Sequence, residues 1–265
     1  MKVYESGSGE KPVLLLLPGT CCHWKENFGQ VIPLLEQNFR VAAVSYDGFD
    51  ESEETEFPTM IEETEKIERY IRKHFGGHVC GIYGCSLGGS FVGLIAARGN
   101  IRMDYGILGG SDLDQSGRFA ARLKTKLILR LVYPLIATGE LRSGLLRNQL
   151  EKSRAEAGGY VDAFIKMFGA ARPYVTRRSV ANQFYSDLIT PLPSKIDPPW
   201  TEIHILYALK MGGKYRERYL RHFAHPVLHE LNSRHEELLV CHPEEWAELI
   251  TSICLPERSE AQTYG

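Results

Sequence analysis

The chain has 265 residues, 43% of them hydrophobic, and a formal net charge of −2. That length buries the core of one large α/β domain or of a core with an insertion, and the near-neutral balance argues against a general nucleic-acid binder. The apolar runs "VLLLLP" and "LILRLVYPLIA" are too short to span a bilayer, and Arg130 and Pro134 interrupt the second.

The start, "MKVYESGSGEKP", carries no basic segment followed by an apolar one, so no secretion signal is expected. "KPVLLLLPG" then reads as a buried strand closed by Pro-Gly. "WKENFGQVIPLLEQN" has helical spacing, and "FRVAAVSYDG" is a second buried strand. "TMIEETEKIERYIRKHFGG" repeats apolar residues at three and four, acidic at its start and basic at its end, and stops at Gly76-Gly77. "HVCGIYGC" is a strand, "LGGSFVGLIAARG" a small-residue helix and "MDYGILGGSD" a further strand. The alternation resumes with "TEIHILYALK", "RERYLRHF", "HPVLHELN" and "PEEWAELITSICL". Strands apolar on both faces, alternating with helices, predict a mostly parallel central sheet flanked by helices, an α/β fold.

Residues 115–200 differ. Helical stretches such as "FAARLKTKLILRLVYPLIA" dominate, with fourteen Lys/Arg against six Asp/Glu, whereas residues 1–114 hold ten against seventeen. The expected division is a core in two parts, 1–114 and 201–265, with a helical cap inserted at 115–200. The last residues, "PERSEAQTYG", are expected to fray. The six cysteines, Cys21, Cys22, Cys80, Cys85, Cys241 and Cys254, lack zinc-site spacing, and reduced thiols in a cytoplasmic protein are the simplest reading.

Gly84-Cys85-Ser86-Leu87-Gly88 fits G-x-S-x-G. It follows a strand and opens a helix, the context in which a sharp turn lifts a serine hydroxyl clear of the sheet. Here the chain resembles the α/β-hydrolase family over most of its length outside the cap. "LLLLPGTCCHW" looks like the family's first core strand and oxyanion turn, with Pro18 where a histidine is usual. "SRHEELLVCHPEEWAELI" resembles its final histidine loop and last helix.

The resemblance implies Ser86 as nucleophile and His235 as general base, with His242 as rival. It implies an oxyanion hole from the N–H groups of Thr20 and Leu87. The acid is the weak point. The family's usual aspartate would fall near Met211, where there is none. Asp112, at the end of the strand after the serine, is the expected acid. Asp114 suits a helix cap, Asp187, Asp197 and Glu217 are further candidates, and a serine–histidine dyad is the remaining option. His222, His225 and His229 read as surface residues. Cys21, Cys22 and His23 are expected to edge the pocket, and Trp24 to anchor its loop. From the cap, Leu127, Leu131, Tyr133, Phe164, Met167, Phe168 and Tyr185 are candidates to line it.

These residues imply a serine hydrolase acting on a small-molecule carboxylic ester through an acyl-enzyme, needing no metal or organic cofactor. Thioesterase, C–C hydrolase and acyltransferase chemistry would use the same residues. The competing class is a non-catalytic protein of the same fold that binds a ligand or partner. A homo-oligomer is compatible with the composition, and the basic cap with an anionic substrate, an acidic partner or a membrane surface.

Overall fold

The computed structural model describes residues 1–138, 144–157, 159–167 and 174–256. Seven strands form one sheet: β1 (Lys2–Ser6), β2 (Val13–Leu17), β3 (Arg40–Ser45), β4 (His78–Cys85), β5 (Arg102–Gly109), β6 (Glu202–Ala208) and β7 (Val227–Leu231). Their order is β1-β3-β2-β4-β5-β6-β7, and every pairing is parallel except β1 with β3. The expected strands are all present. β1, which the sequence pattern did not call, adds an antiparallel edge.

The strands are apolar on both faces because both are covered. Leu15 and Leu17 of β2 pack with Ile67 and Ile71 of α3 (Met60–Phe75) and with Phe91 and Ile95 of α4 (Leu87–Arg98). Leu14 and Leu16 face the other way, toward Leu35 of α2 (Ile32–Leu35) and Trp246 and Ile250 of α12 (Pro243–Cys254). Period-two alternation between two apolar layers is what a buried parallel strand requires. Helix α3 starts at Thr59, whose side chain accepts from Glu62 N, and ends at Gly76 with φ 62°.

Between β5 and β6 the described residues hold helices α5 (Arg118–Leu131), α6 (Tyr133–Thr138), α7 (Gly144–Ala157), α8 (Gly159–Lys166) and α9 (Arg177–Ile189), and no strand of the sheet. Helix α9 is fastened to the core. Ser179 Oγ accepts from Phe57 N at 3.2 Å, Ser186 Oγ accepts from Met60 N at 3.3 Å, and Asn182 Nδ2 donates to Phe57 O at 2.8 Å. The remaining elements are α1 (Trp24–Phe28), α10 (Gly213–His222), α11 (Glu237–Cys241) and one 3-10 turn at Leu209–Met211. Among the described residues no helix is long and apolar enough to cross a membrane.

The order places a switch point between β2 and β4. From β2 the chain crosses to β3 on one side, and from β4 to β5 on the other. Loops leaving the carboxyl ends of β2 and β4 therefore diverge and open a crevice, where open α/β sheets bind ligands. Gly84, at the end of β4, is packed so closely on α4 that a Cβ there would lie 2.1 Å from the carbonyl carbon and oxygen of Gly88. Gly84→Ala is expected to cost about 3 kcal/mol in a denaturant titration, while Gly9→Ala, with open space around it, stays within about 0.5 kcal/mol. Equal effects would contradict this packing.

Candidate active site

Strand β4 delivers Ser86 to the crevice in a backbone conformation that side chains rarely adopt, φ 50° and ψ −109°. Such strain persists only where the surroundings over-determine it. Ser86 N donates to Gly109 O at 2.7 Å and to Glu236 Oε1 at 3.0 Å. Its carbonyl accepts from Ser111 Oγ at 2.7 Å and from Gly89 N at 2.9 Å. Leu87 is the first residue of α4, so its N–H has no partner within the helix.

The turn after β2 supplies the opposite wall. Gly19 N donates to Asn27 Oδ1 at 2.8 Å, Cys21 N to Gln183 Oε1 at 2.8 Å, and Cys22 N to Gly19 O at 3.2 Å. Thr20 N–H is the member of this run with no acceptor among the described residues. Asn27 and Gln183 are both buried, and Gln183 comes from helix α9. Sequence reasoning missed this pair, since an amide side chain on a helix gives no signal of which loop it will hold.

His235 stands in the loop between β7 and α11 and lines the same cavity as Ser86 and Thr20. Its ring meets Phe164 edge-on at 5.7 Å between centroids, and its carbonyl accepts from Tyr160 Oη at 2.7 Å. Its Nδ1 is buried and has no hydrogen-bond partner among the described residues. The next residue, Glu236, is 7% exposed at φ 53°. Its carboxylate accepts from Tyr83 Oη at 2.7 Å as well as from Ser86 N, and no ion pair to it is found among the described residues. A Cβ at Gly110 would lie 2.9 Å from Glu236 Oε1 and 3.0 Å from His235 Nε2. Carboxylate and imidazole thus close on the same backbone, which only glycine leaves open.

Burial and the charge of Glu236 act together on the titratable groups of this region. Burial first, and then its charge, push the Tyr160 hydroxyl and the Cys22 thiol up to about 12. The same two causes raise Tyr83 and Cys85. The sequence signal was the acid directly after His235, easily passed over because a Glu in a loop normally faces solvent.

The structure does not bring Asp112 to His235. Asp112 is exposed, and its Oδ1 accepts from Asp114 N at 3.1 Å, a local turn ahead of α5. Asp114 does not cap α5. It pairs with Lys124 at 2.8 Å and Arg218 at 3.3 Å. Desolvation raises Asp187 to about 8, with the charge of Asp112 adding to it. His242 is exposed, 3.8 Å from Glu245. His222 is a correction: it is buried, with Nδ1 2.9 Å from the carbonyl of Pro193. His229 is half-buried and stacks on His204 at 5.2 Å.

The cavity is about 270 Å³ and predominantly apolar. Val132, Ile136, Tyr160, Phe164, Met167 and Phe184 line it from the helical segment between β5 and β6, and Cys21, Cys22 and Cys85 from the ends of β2 and β4. Phe164 and Met167 were expected there. Leu127 is instead 56% exposed, and Leu131, Tyr133 and Tyr185 are each one residue or so out of phase with the inward positions. Val132, between the end of α5 at Leu131 and the start of α6 at Tyr133, takes the inward position that its two neighbours do not. Phe168 lies outside the described residues, as does the terminal stretch from 257. His23 does not edge the cavity; it is buried between Glu26 at 2.8 Å and Glu51 at 2.7 Å. Trp24 anchors its loop by stacking on Tyr4 at 4.4 Å. A second cavity of about 390 Å³, beside Asp104, Asp197 and His225, lies toward the opposite strand ends.

A family model described as alpha/beta hydrolase fold matches residues 12–217. Among solved structures, an alpha/beta hydrolase family protein from Desulfitobacterium hafniense superposes with a TM-score of 0.76 at 21% identity, covering 95% of this chain and 99% of that one. An enol-lactonase from Burkholderia xenovorans gives 0.66 at 15%, covering 95% of each chain. A carboxylesterase structure from the thaumarchaeon Nitrososphaera gargenis gives 0.66 at 14%, covering 95% and 93%. A comparison with curated protein sequences finds no match. With the matched region running from β2 into α10 and the serine turn within it, the chain belongs to the alpha/beta-hydrolase family.

Proposed function

We propose that the protein is a serine hydrolase of carboxylic esters. The observation that carries this reading is the strained Ser86, held at φ 50° at the mouth of an apolar cavity that His235 also lines. An exposed hydroxyl is a poor nucleophile until a base takes its proton. In the proposed cycle Ser86 Oγ attacks the ester carbonyl while His235 accepts the hydroxyl proton. The oxyanion of the tetrahedral intermediate is stabilised by Thr20 N–H and Leu87 N–H, two donors aimed before the reaction begins. His235 then protonates the leaving alcohol, and water attacks the acyl-enzyme by the same route in reverse. The acyl group occupies the space between Ile136, Phe164, Met167 and Phe184.

The usual third member, a carboxylate on Nδ1, has no counterpart among the described residues. We assign part of its work to Glu236. This positioning residue ties the histidine loop to the serine turn, and its negative charge favours the imidazolium that forms in each half-reaction. The lone Nδ1 also favours the alternative reading, a non-catalytic binder, and labelling separates the two.

A fluorophosphonate probe is expected to label the wild type and not Ser86→Ala or His235→Ala. Ester turnover by Ser86→Ala should fall by about 10⁴-fold. A wild type that stays unlabelled would assign the fold to binding. Glu236→Gln keeps an acceptor for Ser86 N–H but removes the charge. Its kcat is expected to fall about tenfold with KM within about twofold and the thermal midpoint near wild type. Asp112→Asn should keep kcat within about threefold. The converse pattern, with Asp112→Asn inactive and Glu236→Gln normal, would return the acid to Asp112.

Substrate length is testable on a series of p-nitrophenyl esters. Ile136 is fully buried at the cavity wall, so Ile136→Trp is expected to cut kcat/KM for octanoate about tenfold relative to acetate. An unchanged ratio would place the acyl chain elsewhere.

A further inference from the structure

Helix α5 presents an apolar stripe to solvent. Phe119 is 85% exposed, Leu123 63% and Leu127 56%. They are four residues apart and therefore share one helix face. The opposite face, Ala121, Thr125 and Leu129, is buried, in keeping with the packing of α5 on α9. Arg122, Lys126 and Arg130 run alongside the stripe, all exposed and in no ion pair among the described residues. Lys124 on the other flank is held by Asp114. The helix carries five cations and no acidic residue.

From this arrangement we infer that α5 docks the protein on the surface of an anionic phospholipid bilayer. An exposed apolar stripe flanked by cations matches such a boundary in both respects: the rings and leucines enter the headgroup–acyl region while the basic side chains meet lipid phosphates. A second copy is a poorer occupant, because pairing two α5 faces would set Arg122, Lys126 and Arg130 of one against the same three cations of the other. The helix runs directly into Val132 and Ile136, which line the cavity. A docked molecule therefore holds the cap side of its cavity close to the lipid. The docking does not depend on the catalytic reading; delivery of a lipid-derived ester to Ser86 rests on it.

The test is sedimentation of the full chain with vesicles at physiological salt, comparing pure phosphatidylcholine with an equal mixture of phosphatidylcholine and phosphatidylglycerol. Partitioning is expected to be at least about tenfold stronger on the mixed vesicles. Phe119→Asp with Leu123→Asp should lose at least about tenfold of that binding. Arg122→Glu with Lys126→Glu should reduce it to the level on phosphatidylcholine alone. In both variants the thermal midpoint and the turnover of a soluble short-chain ester should match wild type. Equal partitioning on the two vesicles, or binding indifferent to these substitutions, would overturn the inference. So would a lipid-free dimer that Phe119→Asp dissociates, which assigns the stripe to self-association. Binding is read without turnover, so an inactive protein that binds vesicles would sink the catalytic reading alone.

Discussion

The left-handed backbone at Ser86 is the constraint on which the site depends. It is unfavourable in isolation, and it is held by groups from separate parts of the chain: Gly109 O at the end of β5 and Ser111 Oγ just beyond it, Glu236 beyond β7, and the close seating of α4 on Gly84 and Leu17. A sheet with these crossovers is needed to bring those parts to one edge. The turn in return fixes where Leu87 N–H points, because that group is the first of α4. Fold and chemistry meet in one residue's dihedral angles.

Glu236 connects this turn to the histidine loop. A buried carboxylate without a cation is costly unless hydrogen bonds satisfy it, and two donors, Tyr83 Oη and Ser86 N–H, do so here. What two neutral donors leave uncompensated is net charge. The imidazolium of the proposed cycle would supply the missing sign each time His235 takes a proton. That argument gives a physical reason for an acid beside the base when none sits on Nδ1.

Much of the fold was legible because two-sided burial leaves a strong mark. "VLLLL" cannot be satisfied on a surface, and "IEETEKIERYIRKHF" has one apolar face and two correctly charged ends. Strand β1 escaped notice because "KVYES" is a polar edge strand whose identity comes from its partner β3. The serine turn was legible because its glycines answer to steric demands that sequence expresses directly. Where the carboxylates near the histidine loop would turn was not, since that depends on loop paths. Asp112 ends the right strand but turns its side chain to Asp114 N. Three of the expected lining residues, Leu131, Tyr133 and Tyr185, fall one position from the inward-facing Val132 and Phe184, because apolar composition marks a helix as part-buried without fixing which of two adjacent side chains turns inward.

The helices between β5 and β6 divide their work. Helix α9 faces inward and is bound by hydrogen bonds to Phe57, Met60 and Cys21, so that through Gln183 it helps set the turn carrying Thr20. Helix α5 uses α9 as its support and turns its own apolar stripe away from the core. A helix that only supported the cavity wall would have no reason to leave Phe119 and Leu123 in water beside uncompensated cations. Burial of that face by something outside the chain would relieve both the apolar exposure and the like-charge crowding, and it would do so without disturbing the helix that holds the turn carrying Thr20.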